Sequence, residues 1–307
     1  MGKTSRRGFL GASLTAAACA LSASTPGPQE PRAAAKAPLF ELGLASYTFR
    51  EFDLDATLSM ARRVGLSRIS LKEMHLPLDS PADVIRKTMD KIRSQGFVPY
   101  GCGVVYMTSA AEVDRAFAYA KAGGMDLVIG VPDHALLGRA EERARETGLR
   151  LAIHNHGPGD ARYPTPGSIL DRIGGLDPRI GVCLDVGHCR RMGLDPSAEA
   201  VRCGPRLLDV HMKDVSAATS EGGPVEAGRG VVDIPRFLET LAGLGYRGTL
   251  AFEYEKDGRD PLAGLAESVG FVRGVLAAFA GGEARTARGG AEDGESSDDP
   301  GPERRRT

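Results

Sequence analysis

Short apolar runs recur along residues 36–280 and alternate with longer stretches of helical periodicity. The runs lie at about 42–46 (LGLAS), 68–72 (RISLK), 97–105 (FVPYGCGVV), 126–130 (DLVIG), 149–154 (LRLAIH), 180–185 (IGVCLD), 207–212 (LLDVHM) and 249–254 (TLAFEY). Their starts are separated by roughly 25–40 residues, the size of one strand plus one crossover helix. Between them, apolar positions fall at helical spacing, as in Leu54, Leu58, Ala61 and Val64, in Val84, Ile85, Met89 and Ile92, and in Ile234, Phe237, Leu238, Leu241 and Leu244. Several of these stretches stop at a glycine (Gly65, Gly96, Gly148, Gly245), a common helix C-terminal signal. Eight such units predict an α/β fold, a single-domain (β/α)8 TIM barrel over residues 36–280. A doubly wound open sheet is the alternative. It is disfavoured because no glycine-rich phosphate loop follows the first strand, and Gly101-Cys102-Gly103 lacks the third glycine.

The two ends carry no such pattern. Ser5-Arg6-Arg7-Gly8-Phe9-Leu10 has the twin-arginine form, followed by a weakly apolar stretch from Gly11 to Ala23 and a Pro-rich region. Residues 1–35 therefore resemble a twin-arginine (Tat) export signal and linker, which places the mature protein in the periplasm or another extracytoplasmic space. Cys19 after Ala17-Ala18 gives only slight support to lipoprotein anchoring. Residues 281–307 are Gly, Glu, Asp, Ser and Arg with almost no apolar side chains, the composition of a disordered polar tail.

Charge and composition narrow the classes further. Among 307 residues, 39 Lys and Arg face 40 Asp and Glu, a formal net charge of −1. That balance lacks the cationic surplus of a nucleic-acid binder. No apolar run reaches the ~18 residues of a membrane span, so no stable span is expected after signal cleavage. Beyond the signal, Cys102, Cys183, Cys189 and Cys203 match no zinc-ribbon or CxxC spacing and read as buried free thiols.

The histidines carry the chemistry. All six (His75, His134, His154, His156, His188 and His211) fall at, or within about five residues of, the C-terminal end of a predicted strand, the catalytic face of a barrel. His154-Asn155-His156 ends the fifth strand, and alternation puts 154 and 156 on one face. Asp185-Val186-Gly187-His188 ends the sixth. His211-Met212-Lys213-Asp214 ends the seventh, and Glu253-Tyr254-Glu255 the eighth. Taken singly, each side chain reads as a cap or a loop hydrogen bonder, and Asn155 reads as structural. Carboxylates and imidazoles converging from four consecutive strands need neutralising, and a divalent cation does this by coordinating deprotonated ligands.

The ordered set LAIHNHG, GVCLDVGHCRRMGLDP, LLDVHMKDV and LAFEYE, with ISLKEMHLPL and GRGVVDIP, resembles the sugar phosphate isomerase/epimerase family of xylose isomerase-like TIM barrels over about residues 40–280. That resemblance implies one divalent metal at the C-terminal face, held by a Glu, an Asp, a His and a Glu from strands five to eight. Carried over, the positions are His154, Asp185, His211 and Glu253, and His154 departs from the family's Glu. The two-glutamate proton exchange of the ketose epimerases is therefore not carried over intact. Two imidazoles shift preference from Mg²⁺ towards Mn²⁺, Zn²⁺, Co²⁺ or Fe²⁺.

The chemistry implied is isomerisation or epimerisation of a small-molecule carbohydrate by proton abstraction beside a chelated carbonyl. Glu253 is the expected base, with His156 or Glu73 on the opposite side. His188, Lys213, Lys72 and His75 are expected to hold substrate hydroxyls and developing charge, with Arg190 a further cation nearby. Elimination from an oxidised (3-keto) sugar uses the same acidified C–H and is the enzymatic alternative. A catalytically inactive sugar-binding protein is the non-enzymatic one. Phosphodiester cleavage of DNA, as in endonuclease IV, is opposed by the net charge of −1 and the single apparent metal site.

Overall fold

A computed structural model describes residues 40–289; the segment expected to direct export, with Cys19, and residues 290–307 lie outside the described residues, while residues 281–289, expected to open a disordered tail, are helical. Eight parallel strands close into a barrel: β1 (Glu41–Ala45), β2 (Arg68–Leu71), β3 (Val98–Met107), β4 (Leu127–Pro132), β5 (Arg150–His154), β6 (Ile180–Asp185), β7 (Leu207–Met212) and β8 (Thr249–Phe252). Each strand pairs with its sequence neighbours, and β1 pairs with β8 to complete the ring. Every residue of β4, β6, β7 and β8 is buried, because both faces of a barrel strand are covered, one by the interior and one by helices. The doubly wound alternative is thereby excluded.

The outer ring comprises α1 (Leu54–Arg63), α2 (Ala82–Ser94), α3 (Ala110–Gly123), α4 (Leu137–Thr147), α5 (Pro166–Ile173), α6 (Val186–Arg191), α7 (Pro196–Cys203), α8 (Ile234–Gly243) and α9 (Leu262–Gly289). Local chemistry starts these helices. Asp53 accepts from Ala56 N at 2.8 Å, and Ser109 with Glu112, and Thr165 with Ser168, form capping boxes. All four glycines expected as helix stops take positive φ. In α9, the window Leu262–Phe279 is long and apolar enough to cross a bilayer by composition. Here it lays Leu265, Val269 and Val272 on the barrel, and Arg273 donates to the carbonyls of Val64 and Gly65. Cys102, Cys183, Cys189 and Cys203 are all buried and unpaired.

The segment between β7 and α8 crosses the rim of the mouth and is held by one carboxylate. Asp214, fully buried, accepts from the backbone N–H of Val215 and Val232 on Oδ1, and of Gly228 and Gly230 on Oδ2, at 2.8–3.1 Å. Its removal leaves four backbone donors without their acceptor. Asp214→Ala is expected to cost about 3–5 kcal/mol in urea unfolding. A loss within experimental error of zero would show that water replaces the carboxylate at no cost.

Candidate metal centre

Strands β5 to β8 end at the same face of the barrel. Register sets His154 beside Cys183, and Asp185 beside His211. Glu253 follows the last residue of β8, its N–H still bonded to Met212 O at 3.1 Å. His154, Asp185, His211 and Glu253 are 0–5 % exposed, and each offers one donor atom within 4.8 Å of the others. His154 Nε2 lies 3.4 Å from Asp185 Oδ2, and His211 Nδ1 lies 3.3 Å from Glu253 Oε2. Donors bound at ~2.0–2.2 Å around a tetrahedral ion stand ~3.3–3.6 Å apart, so these spacings suit a common cation.

A second observation points the same way. Neither ring nitrogen of His154 or of His211 makes a hydrogen bond, although both rings are buried. Four imidazole nitrogens removed from water without partners are costly in a protein interior, and coordination satisfies one on each ring. The donor set therefore fits a divalent ion.

The neighbouring residues fix the geometry. Asn155 faces away from the mouth and clamps β5 to β6: its Oδ1 accepts from Asp185 N at 2.9 Å and its Nδ2 donates to Asp185 O at 3.2 Å. Asp185 Oδ1 caps α6 by accepting from His188 N at 2.7 Å, which turns Oδ2 towards the centre. Lys213 reaches the same place from β7. Its buried ammonium lies 2.8 Å from Glu253 Oε2, 3.0 Å from Asp185 Oδ2 and 3.2 Å from Glu255 Oε2. Gly187 makes room for that stem; a Cβ there would collide with Lys213 Cγ.

Burial and charge compete throughout this cluster. Burial alone would raise the Asp185 and Glu253 carboxyls, but Lys213 and the adjoining imidazoles hold both well below the usual range. For Glu255 burial wins over Lys213, and its pKa is raised. Burial pushes His154, His156 and His188 down to about 4, so all three rings are neutral at pH 7. At His211 burial opposes protonation, but Glu253 with Asp209 and Asp185 outweighs it and raises the pKa.

Above the quartet opens a cavity of about 280 Å³. His154 and Glu253 form part of its floor, and Tyr47, Lys72, Val104, Tyr106, His156, His188 and Glu255 line the rest. His156 Nε2 shares a hydrogen with Tyr106 OH at 2.9 Å, and the His154 and His156 rings stand 4.5 Å apart. Lys72 Nζ donates to Val104 O and lies 3.3 Å from Glu73.

Four expected site residues are placed differently. His75 is not at the cavity: its N–H bonds to Lys72 O in a turn, strand alternation ends there, and the ring swings back between Ser46 Oγ (2.9 Å) and Thr57 Oγ1 (3.1 Å). Glu73, in the same turn, is exposed and faces Lys72 rather than the mouth. Lys213 lies beneath the cavity, its ammonium taken up by three carboxylates. Arg190 donates to Leu194 O, away from the mouth. Glu255, Tyr47, Val104 and Tyr106 enter the site without having been singled out for it. Glu255 shares its face with Glu253 two residues earlier, a signal the alternation already contained.

His75 carries a testable consequence. Burial lowers its pKa, against the pull of the Phe49 and Phe52 backbones and of Asp53. In the unfolded chain it titrates near ~6.5. Between the folded and unfolded values the unfolded state binds the extra proton, so this contribution to stability is present above pH ~6.5 and is lost as pH falls. The urea midpoint of His75→Gln is expected to fall less between pH 7.5 and 5.5 than that of the parent protein. Parallel curves for the two would mean that His75 titrates as a free imidazole.

Comparison with known proteins agrees with this architecture. Residues 135–275 match the xylose isomerase-like TIM barrel family, a span that holds all four residues of the quartet. The rhizopine catabolism protein MocC of Rhizobium meliloti is 34% identical over 166 residues, covering 45% of this chain and 50% of that protein. The inosose dehydratase of Lacticaseibacillus casei is 28% identical over 138 residues, 39% of this chain and 45% of that one. The chain thus spans about half the length of the curated relatives it matches. The solved structure of an L-ribulose 3-epimerase superposes with a TM-score of 0.65 at 18% identity, covering 84% of this chain and 100% of that one, and is alike in fold.

Proposed function

We propose that this chain, a xylose isomerase-like TIM barrel, is a metal-dependent enzyme that isomerises or epimerises a small carbohydrate by moving a proton next to a carbonyl group. The observation that carries the reading is the buried quartet of two imidazoles and two carboxylates at the mouth of the barrel. A divalent ion held there by His154, Asp185, His211 and Glu253 would polarise a carbonyl and acidify the adjacent C–H. Two carboxylates balance its charge, and two nitrogens favour Mn²⁺, Zn²⁺, Co²⁺ or Fe²⁺ over Mg²⁺.

The protein's own groups supply the rest. Glu253 stands between the quartet and the cavity and takes the proton from carbon. Lys213, 2.8 Å behind it, keeps that carboxylate ionised and in place. His156 and His188, neutral at pH 7, donate to and accept from substrate hydroxyls from the cavity wall. Tyr47 and Tyr106 close the sides with apolar faces, which suit the C–H face of a sugar ring. A cavity of about 280 Å³ holds a monosaccharide-sized molecule, the lower end of small-molecule sites. Export by the twin-arginine route belongs to the same proposal.

A second reading, elimination of water or another leaving group from a keto-sugar, is favoured by one feature. Besides the carboxylates of Glu253 and Glu255, the wall offers an imidazole bonded to a tyrosine hydroxyl, His156 with Tyr106. A carboxylate base paired with a separate imidazole–tyrosine proton donor suits elimination better than two-base epimerisation. The similarity to an inosose dehydratase is consistent with it.

Incubation of the metal-loaded protein in D₂O with free ketoses, cyclic polyol ketones and 3-keto-glycosides separates the two. Deuterium incorporated with the carbon skeleton and all oxygens retained supports isomerisation or epimerisation. Loss of a hydroxyl or glycosidic group, with an unsaturated product, supports elimination. Binding of these compounds without any exchange would contradict the enzymatic proposal.

A further inference from the structure

Cys183 lies two residues before Asp185 on the same face of β6, one step deeper in the barrel, and is fully buried. Register places it directly beside His154. Its Sγ, with one nitrogen each of His154 and His211, forms a second cluster in which all donor atoms lie within 4.8 Å of one another. The thiol takes no part in a disulfide, and its one polar contact is a long one, to Asp209 Oδ2 at 3.8 Å. The second observation is the state of the imidazoles. Both nitrogens of both rings are buried without a hydrogen bond, so neither ring is committed to a protein partner.

We infer that the centre has two coordination levels that share His154 and His211: an upper one with the carboxylates of Asp185 and Glu253, and a lower one with the thiolate of Cys183 that selects thiophilic ions. The first level is the one on which the proposed function rests; the second adds a selectivity for soft metals that the function does not require. A three-coordinate ion with two nitrogens at ~2.0 Å and a sulfur at ~2.3 Å spaces its donors ~3.5–3.7 Å apart, within the span of this cluster. Thiolate and imidazole donors suit Cu(I) and Cd(II), whereas oxygen donors suit Mn²⁺. Binding at the lower level breaks the Cys183 S–H bond, forms the metal–sulfur bond, and releases one proton to solvent, with no change of oxidation state. Since both levels need the same two rings, they are occupied one at a time. A thiophilic ion therefore displaces a hard one.

The test uses the full chain, freed of metal by chelation, with Cd²⁺ and Mn²⁺ as the two probes. In the parent protein Cd²⁺ is expected to produce an ultraviolet thiolate-to-cadmium charge-transfer band, release about one proton per ion, and expel bound Mn²⁺. Cys183→Ser keeps the size of the side chain. It is expected to lose the band and to bind Cd²⁺ about 10–100-fold more weakly, while its Mn²⁺ affinity changes less than about threefold. The double variant Asp185→Asn, Glu253→Gln is expected to do the reverse, keeping the Cd²⁺ band and losing Mn²⁺. It also serves if Cys183→Ser does not fold. Absence of the band in the parent protein, or a Cd²⁺ affinity unchanged in Cys183→Ser, would overturn the inference. Loss of Mn²⁺ binding alone in the parent, with the Cd²⁺ band present, would instead strike at the upper quartet and leave this inference standing.

Discussion

Asp185→Ala and His211→Ala are each expected to bring bound Mn²⁺ down to background, measured by elemental analysis after gel filtration. Removing one of four donors weakens a divalent site by about 10²-fold or more, since even the loss of an outer partner costs about 10–100-fold. Neither position has a substitute within reach. Cys183 belongs to a lower set that already needs His211, and Glu255 is turned to Lys213 at 3.2 Å. Asp185 also caps α6 through its bond to His188 N, so part of the effect of Ala on stability, about 1 kcal/mol, comes from the lost cap. Asp185→Asn separates the two roles. It keeps an oxygen for the cap and removes the charge, so the fold is expected to hold while metal affinity falls. His154→Ala bears on the fourth donor. Metal content near that of the parent protein would reduce the quartet to three ligands.

The second large effect is at Glu253. Glu253→Gln retains an oxygen towards the quartet and removes the proton acceptor. Metal content is expected to stay within about twofold, while exchange of the substrate's carbon-bound hydrogen into D₂O falls by about 10²–10⁴-fold. The nearest competitor is Glu255. It lines the cavity, and its raised pKa makes it the stronger base of the two carboxylates. Exchange that survives in Glu253→Gln and disappears in Glu255→Gln would move the base two residues along the chain. His156 is the remaining acceptor on the wall, and its ring is held by Tyr106. Glu73, exposed beside Lys72, is not expected to affect exchange.

The barrel was legible in the sequence because all eight strands are short apolar runs, set one helix apart, with little competing signal. Strand ends agree with the structure to within one or two residues at most positions. The eighth is shorter than its apolar run, because the backbone leaves the sheet after Phe252 and Thr48 Oγ1 bridges Phe252 O and Tyr254 N. The four quartet positions were legible for a physical reason as well. At a strand end, alternation alone decides which side chains face the mouth. Where a turn intervenes, that rule lapses. His75 is four residues past the end of β2, and its direction is set by Ser46 and Thr57, which no local pattern announces. Lys213 shares the inward face with His211, as alternation requires. That its ammonium would be drawn beneath the cavity depends on Gly187 of the neighbouring α6 and on three carboxylates from two other strands. Tyr47 and Tyr106 each lie one residue past an apolar run, at 42–46 and 97–105, where no local pattern says that the ring lines the mouth.

The central claim is that His154, Asp185, His211 and Glu253 hold one divalent ion at the mouth of the barrel. Anomalous diffraction from crystals of the chain soaked in Mn²⁺ tests it most directly. The account predicts a single strong peak within bonding distance of one nitrogen of His154, one nitrogen of His211, and one oxygen each of Asp185 and Glu253. Density in which Lys213 still occupies the space between the two carboxylates, with the manganese peak elsewhere or absent, would contradict it.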